Sequence, residues 1–262
     1  MSDHGTRTIE FNADKLETMD ARRRFLSTLA IAAGAVALSP MIMKGMGIGG
    51  MLQAQGDGQT EPNLTDTDIL NYARTLEYLE ATFYLRADSG GTLPGGATVA
   101  GIDPDGMAAP GSIPGLSAIT APAPSTLNVP TFFRSVRDHE ITHVLALQSA
   151  LGAAALARSA FAFSFGAAFA SAASFMATAQ ALEDTGVTAY LGQAGNIDVV
   201  STLGTAGTIL GVEAEHASTV RLIGGQPVTP GDASFDTPQT TTQVLAIASG
   251  FITQAPPLPF PK

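Results

Sequence analysis

Two short motifs in the sequence contain residue types that bind metal ions. Glu140 is followed three residues later by His143, and Glu213 is followed three residues later by His216. On a helix, residues three apart project from the same side, so each motif would direct a carboxylate and an imidazole towards one point. The chain has no cysteine, so a metal here would be bound by oxygen and nitrogen. One such motif is common on solvated helix faces, but two of them among only four histidines predict a shared site.

Two further glutamates repeat with the same spacing to a tyrosine. Glu77 precedes Tyr84 by seven residues, and Glu183 precedes Tyr190 by seven. The order Glu…Tyr followed by Glu-x-x-His therefore occurs twice, which is the ligand pattern of helical bundles that hold two iron or manganese ions. Four carboxylates would balance two divalent cations and leave a neutral site that can be buried. We predict that the metal ligands are Glu77, Glu140, His143, Glu183, Glu213 and His216.

Other residues lie close to these ligands in the sequence. Glu80 follows Glu77 by three residues and could replace or supplement it, although only Glu77 has the seven-residue spacing to a tyrosine. Tyr84 and Tyr190 would either hydrogen-bond to ligand carboxylates or simply pack in the core. His139 directly precedes a predicted ligand, so we expect its side chain to point away from the site and to lie on the surface.

Hydrophobic periodicity predicts four long helices that carry these motifs. Apolar residues recur at helical spacing, and the glutamates and histidines of the two motifs occupy positions on the inward-facing stripes. A carboxylate in a core needs a metal, another cation or a proton to compensate its charge. The predicted helices cover residues 66–87, 130–157, 168–193 and 199–223, with a shorter helix at 238–250.

The connections before and after the second helix differ in character. Residues 88–130 are rich in Gly and Pro and carry little charge, which predicts an inserted loop that lies on the bundle. After the second helix, Phe161, Phe163 and Phe165 alternate with small residues, as in an extended segment with one buried face. Roughly twelve extended residues reach about 40 Å, enough to cross a bundle end to end. Such a crossover would let the second and third helices run parallel.

The N-terminal region has the features of an export signal. Arg22, Arg23 and Arg24 precede a mildly apolar run over 26–38, in which small residues offer a cleavage site. The arginine pair before Phe-Leu resembles the twin-arginine type of signal. The run is shorter than a typical membrane span. The alternative interpretation of this segment is an uncut anchor or a basic amphipathic start. We therefore expect a periplasmic or otherwise exported bacterial protein without a stable membrane span in its mature chain.

Composition and boundaries complete the domain prediction. The formal net charge of −10 disfavours nucleic acid as a partner. The 45% of hydrophobic residues is ample for a core. The predicted segments are a signal peptide over 1–38, a linker over 39–65, a helical bundle over 66–252 that contains the inserted loop, and a tail over 253–262.

Four stretches resemble the ferritin-like family that includes the desiccation-related proteins. They are residues 70–84, 138–143 (DHEITH), 182–190 (LEDTGVTAY) and 212–216 (VEAEH). The likeness extends over about residues 66 to 252. It implies an all-α, ferritin-like four-helix bundle with a long crossover and a Gly/Pro-rich insertion between helices 1 and 2, and the same six ligands. Glu215 departs from the resemblance, because a basic residue is expected at that position.

The function that these features predict is a dinuclear site for two divalent metal ions, with iron preferred to manganese. Such a site would react with oxygen or peroxide, or would oxidise Fe(II), as a ferroxidase- or peroxide-type oxidoreductase. Two alternatives stay open: a manganese-catalase-like enzyme, and a non-catalytic stress or desiccation protein whose metal is structural. The expected partners are metal ions and small oxidants, and the sequence leaves the oligomeric state open.

Overall fold

The computed structural model describes residues 64–105, 115–122 and 126–255. The predicted signal peptide and almost all of the predicted linker lie outside these residues. No helix in the described part of the chain is both long and apolar enough to cross a membrane. The described chain is mostly helical, which confirms the predicted all-α class. Its main helices are α1 (Asp66–Ala87), α2 (Val129–Leu151), α3 (Ala172–Gln193), α4 (Val200–Ile223) and the shorter α5 (Thr241–Ala248).

Local capping residues determine where these helices begin and end. Thr65 caps α1 in a capping box with Asp68, and Ser171 caps α3 in the same way. The Ser171 cap explains why α3 begins at Ala172 and not at residue 168 as predicted. The predicted end of α2 at residue 157 is also wrong, because Gly152 adopts a φ of 53° and ends the helix at Leu151.

Contacts at both ends show that α1 and α2 run antiparallel. Near the start of α1, Arg74 donates to Gln148 near the end of α2, with Nη2 and Oε1 3.2 Å apart. Directly after α1, Asp88 accepts a hydrogen bond of 2.9 Å from Nε of Arg134, near the start of α2. The two helices therefore meet along most of their length.

The crossover makes α2 and α3 run in the same direction. Tyr84, late in α1, donates to Glu183 in the middle of α3, whereas Tyr190, late in α3, donates to Glu77 in the middle of α1. This crossed pairing means that α3 is antiparallel to α1, as α2 is, so α2 and α3 are parallel. The starts of α1 and α4 lie together, because the Asp66 carboxylate accepts from the backbone N–H groups of residues 198 and 199.

The crossover between α2 and α3 is extended over only part of its length. Phe161, Phe163 and Phe165 are buried while the residues between them are more exposed, as the alternation predicts. The short strand β1 (Ala162–Phe163) pairs antiparallel with β2 (Ile252–Gln254), so ordered pairing continues two residues into the predicted tail. Elsewhere 3₁₀ turns over 152–154 and 158–160 interrupt the crossover.

The described part of the inserted loop lies against the bundle. Leu93 and Ile102 are buried in the same apolar core as the helices. Asp103 is also buried, where it accepts two hydrogen bonds of 2.7 and 2.8 Å from the guanidinium of Arg86 at the end of α1. The loop thus covers a face of α1 that solvent would otherwise reach.

Candidate metal centre

The six predicted ligands converge in the middle of the bundle. Helices α1 and α3 contribute one carboxylate each, and α2 and α4 contribute one Glu-x-x-His motif each. All six side chains belong to residues that are at most 8% exposed. They form two overlapping groups, and within each group the potential ligand atoms lie within 4.8 Å of one another. The first group is Glu77, Glu140, His143 and Glu213, and the second is Glu140, Glu183 and His216.

In the first group, three carboxylates surround one imidazole nitrogen. Nδ1 of His143 lies 3.1 Å from Oε2 of Glu77, 3.2 Å from Oε2 of Glu140 and 3.3 Å from Oε1 of Glu213. These residues come from three helices, so the packing of α1 and α4 against α2 assembles the group.

In the second group, Nδ1 of His216 lies 3.0 Å from Oε1 of Glu140 and 3.2 Å from Oε2 of Glu183. Glu140 therefore directs one carboxylate oxygen at each histidine, since its Oε2 faces His143. A carboxylate placed in this way can contact two cations at once, one through each oxygen.

Several buried polar atoms of this cluster have no hydrogen-bond partner among the described residues. They include Oε1 of Glu140, Oε2 of Glu183 and Nδ1 of His216, whose mutual contacts are short but lack hydrogen-bond geometry, and both carboxylate oxygens of Glu213. A buried polar atom without a partner costs about 1–3 kcal/mol. Cations bound between these atoms would satisfy them, so the donor set fits two divalent metal ions of the kind that carboxylate and imidazole bind.

Burial disfavours the charged form of most of these carboxylates. It raises the pKa of Glu77 to about 7, against the opposing charge of His143. Burial first, and then the charge of Glu140, raise the pKa of Glu213 well above its usual value. The pKa of Glu183 is also raised by burial, although His216 opposes the shift. Without a metal, part of the cluster therefore holds protons.

The shared carboxylate and the two imidazoles shift in the opposite sense. Burial by itself would raise the pKa of Glu140, but the close contacts of its two oxygens with His143 and His216 outweigh burial and hold this pKa well below its usual value. Burial by itself would lower the pKa of His216, but Glu183 and then Glu140 raise it to about 11. The pKa of His143 is raised in the same way, mainly by Glu77. Metal ions would replace the protons on these imidazoles.

The two tyrosines orient the carboxylates of α1 and α3. The hydroxyl of Tyr84 donates to Oε1 of Glu183 at 2.5 Å, and the hydroxyl of Tyr190 donates to Oε1 of Glu77. Of the two alternatives left open by the sequence, hydrogen bonding and simple packing, the structure shows hydrogen bonding. Each tyrosine holds one carboxylate oxygen, which leaves the other oxygen facing a histidine.

Glu80 is a fifth carboxylate at the centre, and a glycine on helix α3 leaves space for it. It is 2% exposed, and burial followed by the charge of Glu213 raises its pKa well above the usual value. A Cβ added to Gly186 would lie 2.3 Å from Oε2 of Glu213 and 3.4 Å from Oε1 of Glu80. Gly186 thus leaves the space that both carboxylates occupy. Glu80 belongs to neither of the two candidate groups, which favours Glu77 as the ligand from α1.

His139 lies on the surface, as predicted, but it also contacts a predicted ligand. Its Nδ1 lies 2.9 Å from Nε2 of His216, and the two rings are nearly parallel, with 9° between their planes and 5.1 Å between their centroids. Part of the ring is exposed to solvent, while Nδ1 faces His216 on α4. In the sequence, the only sign of this contact is that His139 precedes a predicted ligand. The sequence does not show which side of helix α2 packs against helix α4.

Basic residues near the cluster are paired elsewhere. Arg137 donates to Asp138 at 2.7 Å, and Arg221 contacts Asp184 at 2.5 Å. Within the described ranges, the carboxylates of the cluster form their salt-bridge contacts with His143 and His216. The negative charge of the site is therefore left for bound cations or protons to compensate.

Comparison with known proteins agrees with the geometry. The sequence profile of the ferritin-like domain family matches residues 65–226, which is more than half of the chain and includes all six predicted ligands. Comparison with curated proteins gave no match. The resemblance to desiccation-related members is finer than the profile match and stays a prediction. On the strength of the profile match and the four-helix architecture, the chain belongs to the ferritin-like domain family.

Proposed function

We propose that this protein is an exported ferritin-like protein that binds two divalent metal ions and reacts with oxygen, peroxide or Fe(II). The observation that carries the proposal is the pair of overlapping groups that share Glu140. Buried carboxylates with unpartnered oxygens are costly unless a cation neutralises them. We propose iron as the first candidate metal and manganese as the second. Both accept mixed oxygen and nitrogen ligands.

Each group of ligands has a defined task in this proposal. Glu77, His143 and Glu213 would hold one ion, Glu183 and His216 would hold the other, and Glu140 would contact both. The imidazoles would bind through Nδ1, the atom that faces the carboxylate oxygens. The tyrosine hydroxyls fix the rotamers of the α1 and α3 carboxylates, which keeps the ligand geometry in place before a metal arrives.

Bound iron or manganese would supply one-electron chemistry at this site. The protein residues keep bulk water away from this chemistry. On one side of the site, the ring of Tyr84 packs against Phe133 and Phe175, with centroids 6.0 and 6.2 Å apart. A dry surrounding of this kind strengthens the electrostatic hold of the carboxylates on a cation.

The experiment that tests this function begins with metal content. Protein purified from its own host should contain up to two iron or manganese ions per chain, measured by elemental analysis. Metal-free protein should gain stability when metal is added, by about 2.7 kcal/mol at a free concentration of 100 times Kd. Uptake should release protons, since both imidazoles must lose theirs to coordinate. A wild-type protein that neither contains nor binds metal would overturn the proposal.

Activity assays separate the redox proposal from its alternatives. The metal-loaded protein should consume peroxide, or oxidise Fe(II) in the presence of oxygen, and the Glu140→Gln variant should do neither. Rapid release of oxygen from peroxide by the manganese-loaded form would favour the catalase-like alternative. Metal that raises the melting temperature without any turnover would favour the non-catalytic stress or desiccation protein.

The export part of the proposal rests on a separate observation, which is the arginine run at residues 22–24 ahead of a mildly apolar segment. Replacing all three arginines with lysine should trap the precursor in the cytoplasm, as measured by fractionation of the native host. An unchanged periplasmic yield of this variant would exclude the twin-arginine route.

A further inference from the structure

The metal centre is built from a repeated pattern, and the repeat is broken beside one of its histidines. The residue that precedes the motif glutamate is His139 on α2, whereas the equivalent residue on α4 is Val212. His139 contacts His216, the histidine of the opposite motif, through two ring nitrogens 2.9 Å apart. The side chain of Val212 cannot form a hydrogen bond to any histidine. The two halves of the site therefore differ in one polar contact.

The geometry of this contact decides which nitrogen of His216 is free for a metal. Nδ1 of His216 faces Glu140 and Glu183, and Nε2 faces Nδ1 of His139. If Nε2 of His216 carries hydrogen and donates it to His139, the lone pair of Nδ1 is left for a cation. A ligating histidine is normally held in this way by an acceptor at its other nitrogen, which fixes both the tautomer and the ring orientation.

We infer that His139 is a positioning residue that accepts a hydrogen bond from His216 and makes the two metal positions unequal. This inference rests on the proposed function, because it assumes that the cluster holds two metal ions. The position formed by Glu140, Glu183 and His216 gains from the contact, whereas the position that contains His143 does not. His139 lies on α2 but acts on a ligand of α4, so it also couples the orientation of that ligand to the packing of the two helices.

The inference predicts which variants should weaken metal binding and which should not. His139→Leu removes the hydrogen-bond acceptor and introduces an apolar side chain of similar bulk. His139→Asn retains an acceptor, because Oδ1 of asparagine takes nearly the place of Nδ1 of histidine. Val212→Ala is the matched control at the equivalent position of the repeat. Loss of a supporting contact of this kind typically costs about 10–100-fold in metal affinity.

The experiment is a titration of the metal-free full chain with Mn(II) or Co(II), followed by equilibrium dialysis and elemental analysis. Wild type should bind two ions, and His139→Leu should lose about 10–100-fold in affinity at one position only. His139→Asn should recover most of that loss, and Val212→Ala should resemble wild type. Circular dichroism should show the same helical content for all variants, because His139 is exposed. In wild type loaded with diamagnetic Zn(II), ¹⁵N NMR should show His216 protonated on Nε2.

The outcomes distinguish this inference from the function on which it rests. Two ions bound by His139→Leu with wild-type affinity would overturn the inference and leave the proposed function standing. Asparagine as damaging as leucine would also overturn it, because the hydrogen-bond acceptor would then not be the cause. Wild type that binds no metal would overturn both.

Discussion

The two helix pairs of the bundle carry the same ligand pattern in different surroundings. Both pairs, α1–α2 and α3–α4, contain one Glu…Tyr helix and one Glu-x-x-His helix, and the tyrosine of each pair binds the glutamate of the other. Two of the differences between the halves lie at the site: Glu80 on α1 corresponds to Gly186 on α3, and His139 on α2 corresponds to Val212 on α4. The same predicted ligands can therefore form two unequal candidate metal positions, because the residues around them differ.

Burial differs between the pairs as well. In α1 every residue from Ile69 to Arg86 is buried, because the inserted loop and the crossover cover the side that does not face the bundle. In α4 the buried residues are mainly those that face the other helices, and Gly204, Gly207 and Gly211 face open space. A fifth carboxylate on α1 thus lies deep in the protein, and only a glycine on α3 leaves room for it.

The largest effect should come from the ligand that both groups share. Glu140→Gln keeps the size of the side chain but removes its charge, so we expect both metal positions to lose more than about 100-fold in affinity, beyond the loss typical of a supporting residue. Glu183→Gln should weaken one position only. Equilibrium dialysis of the two variants measures this contrast. Equal losses in both variants would show that Glu140 does not contact both ions.

Gly186→Ala tests the position where the repeat fails on α3. Alanine usually stabilises a helix relative to glycine by about 1 kcal/mol. Here its Cβ would lie 2.3 Å from Oε2 of Glu213, so we expect the carboxylate to be displaced and the affinity of the position that contains His143 to fall by about 10–100-fold. Gly211→Ala is the control, because it faces open space and should raise the melting temperature without changing metal binding. A Gly186→Ala variant with normal metal affinity would show that the centre can rearrange.

Glu77 and Glu80 provide a test within a single helix. Glu77→Gln should weaken one metal position by at least about 10-fold more than Glu80→Gln, because only Glu77 belongs to a candidate group. Glu80→Gln retains a neutral side chain that can hydrogen-bond, so it should leave the fold and most of the affinity unchanged. Metal titration of the two variants is the measurement. The reverse order of affinities would identify Glu80 as the ligand.

Among the variants expected to weaken metal binding, the smallest effect should come from the tyrosines, where the two pairs are most alike. Tyr84→Phe and Tyr190→Phe each remove one hydrogen bond to a ligand carboxylate, which should cost about 1.5 kcal/mol or about 10-fold in metal affinity. The two losses should be similar in size but should affect different metal positions. Stoichiometric titration followed by elemental analysis measures the size of each loss and the number of metal positions that it affects. Loss at the same position in both variants would contradict the crossed arrangement.

Much of this architecture could be predicted from the sequence, because it depends on local geometry. Helical periodicity located the four long helices, and the three-residue spacing placed Glu140 beside His143 and Glu213 beside His216 on any helix. The alternating phenylalanines predicted the buried face of the crossover correctly. Errors at the helix ends came from single residues such as Ser171 and Gly152, whose effect depends on a cap or a positive φ.

The sequence by itself determined which residues face the interior and which of them could bind a metal, because both follow from the period of a helix. Only the tertiary structure decided how these residues share the interior. The two-sided position of Glu140, the space opposite Gly186 and the contact of His139 with His216 depend on how far each helix is rotated and shifted against its neighbours. That rotation is set by the packing of all the helices, the inserted loop and the crossover together, so no single segment of the sequence contains it.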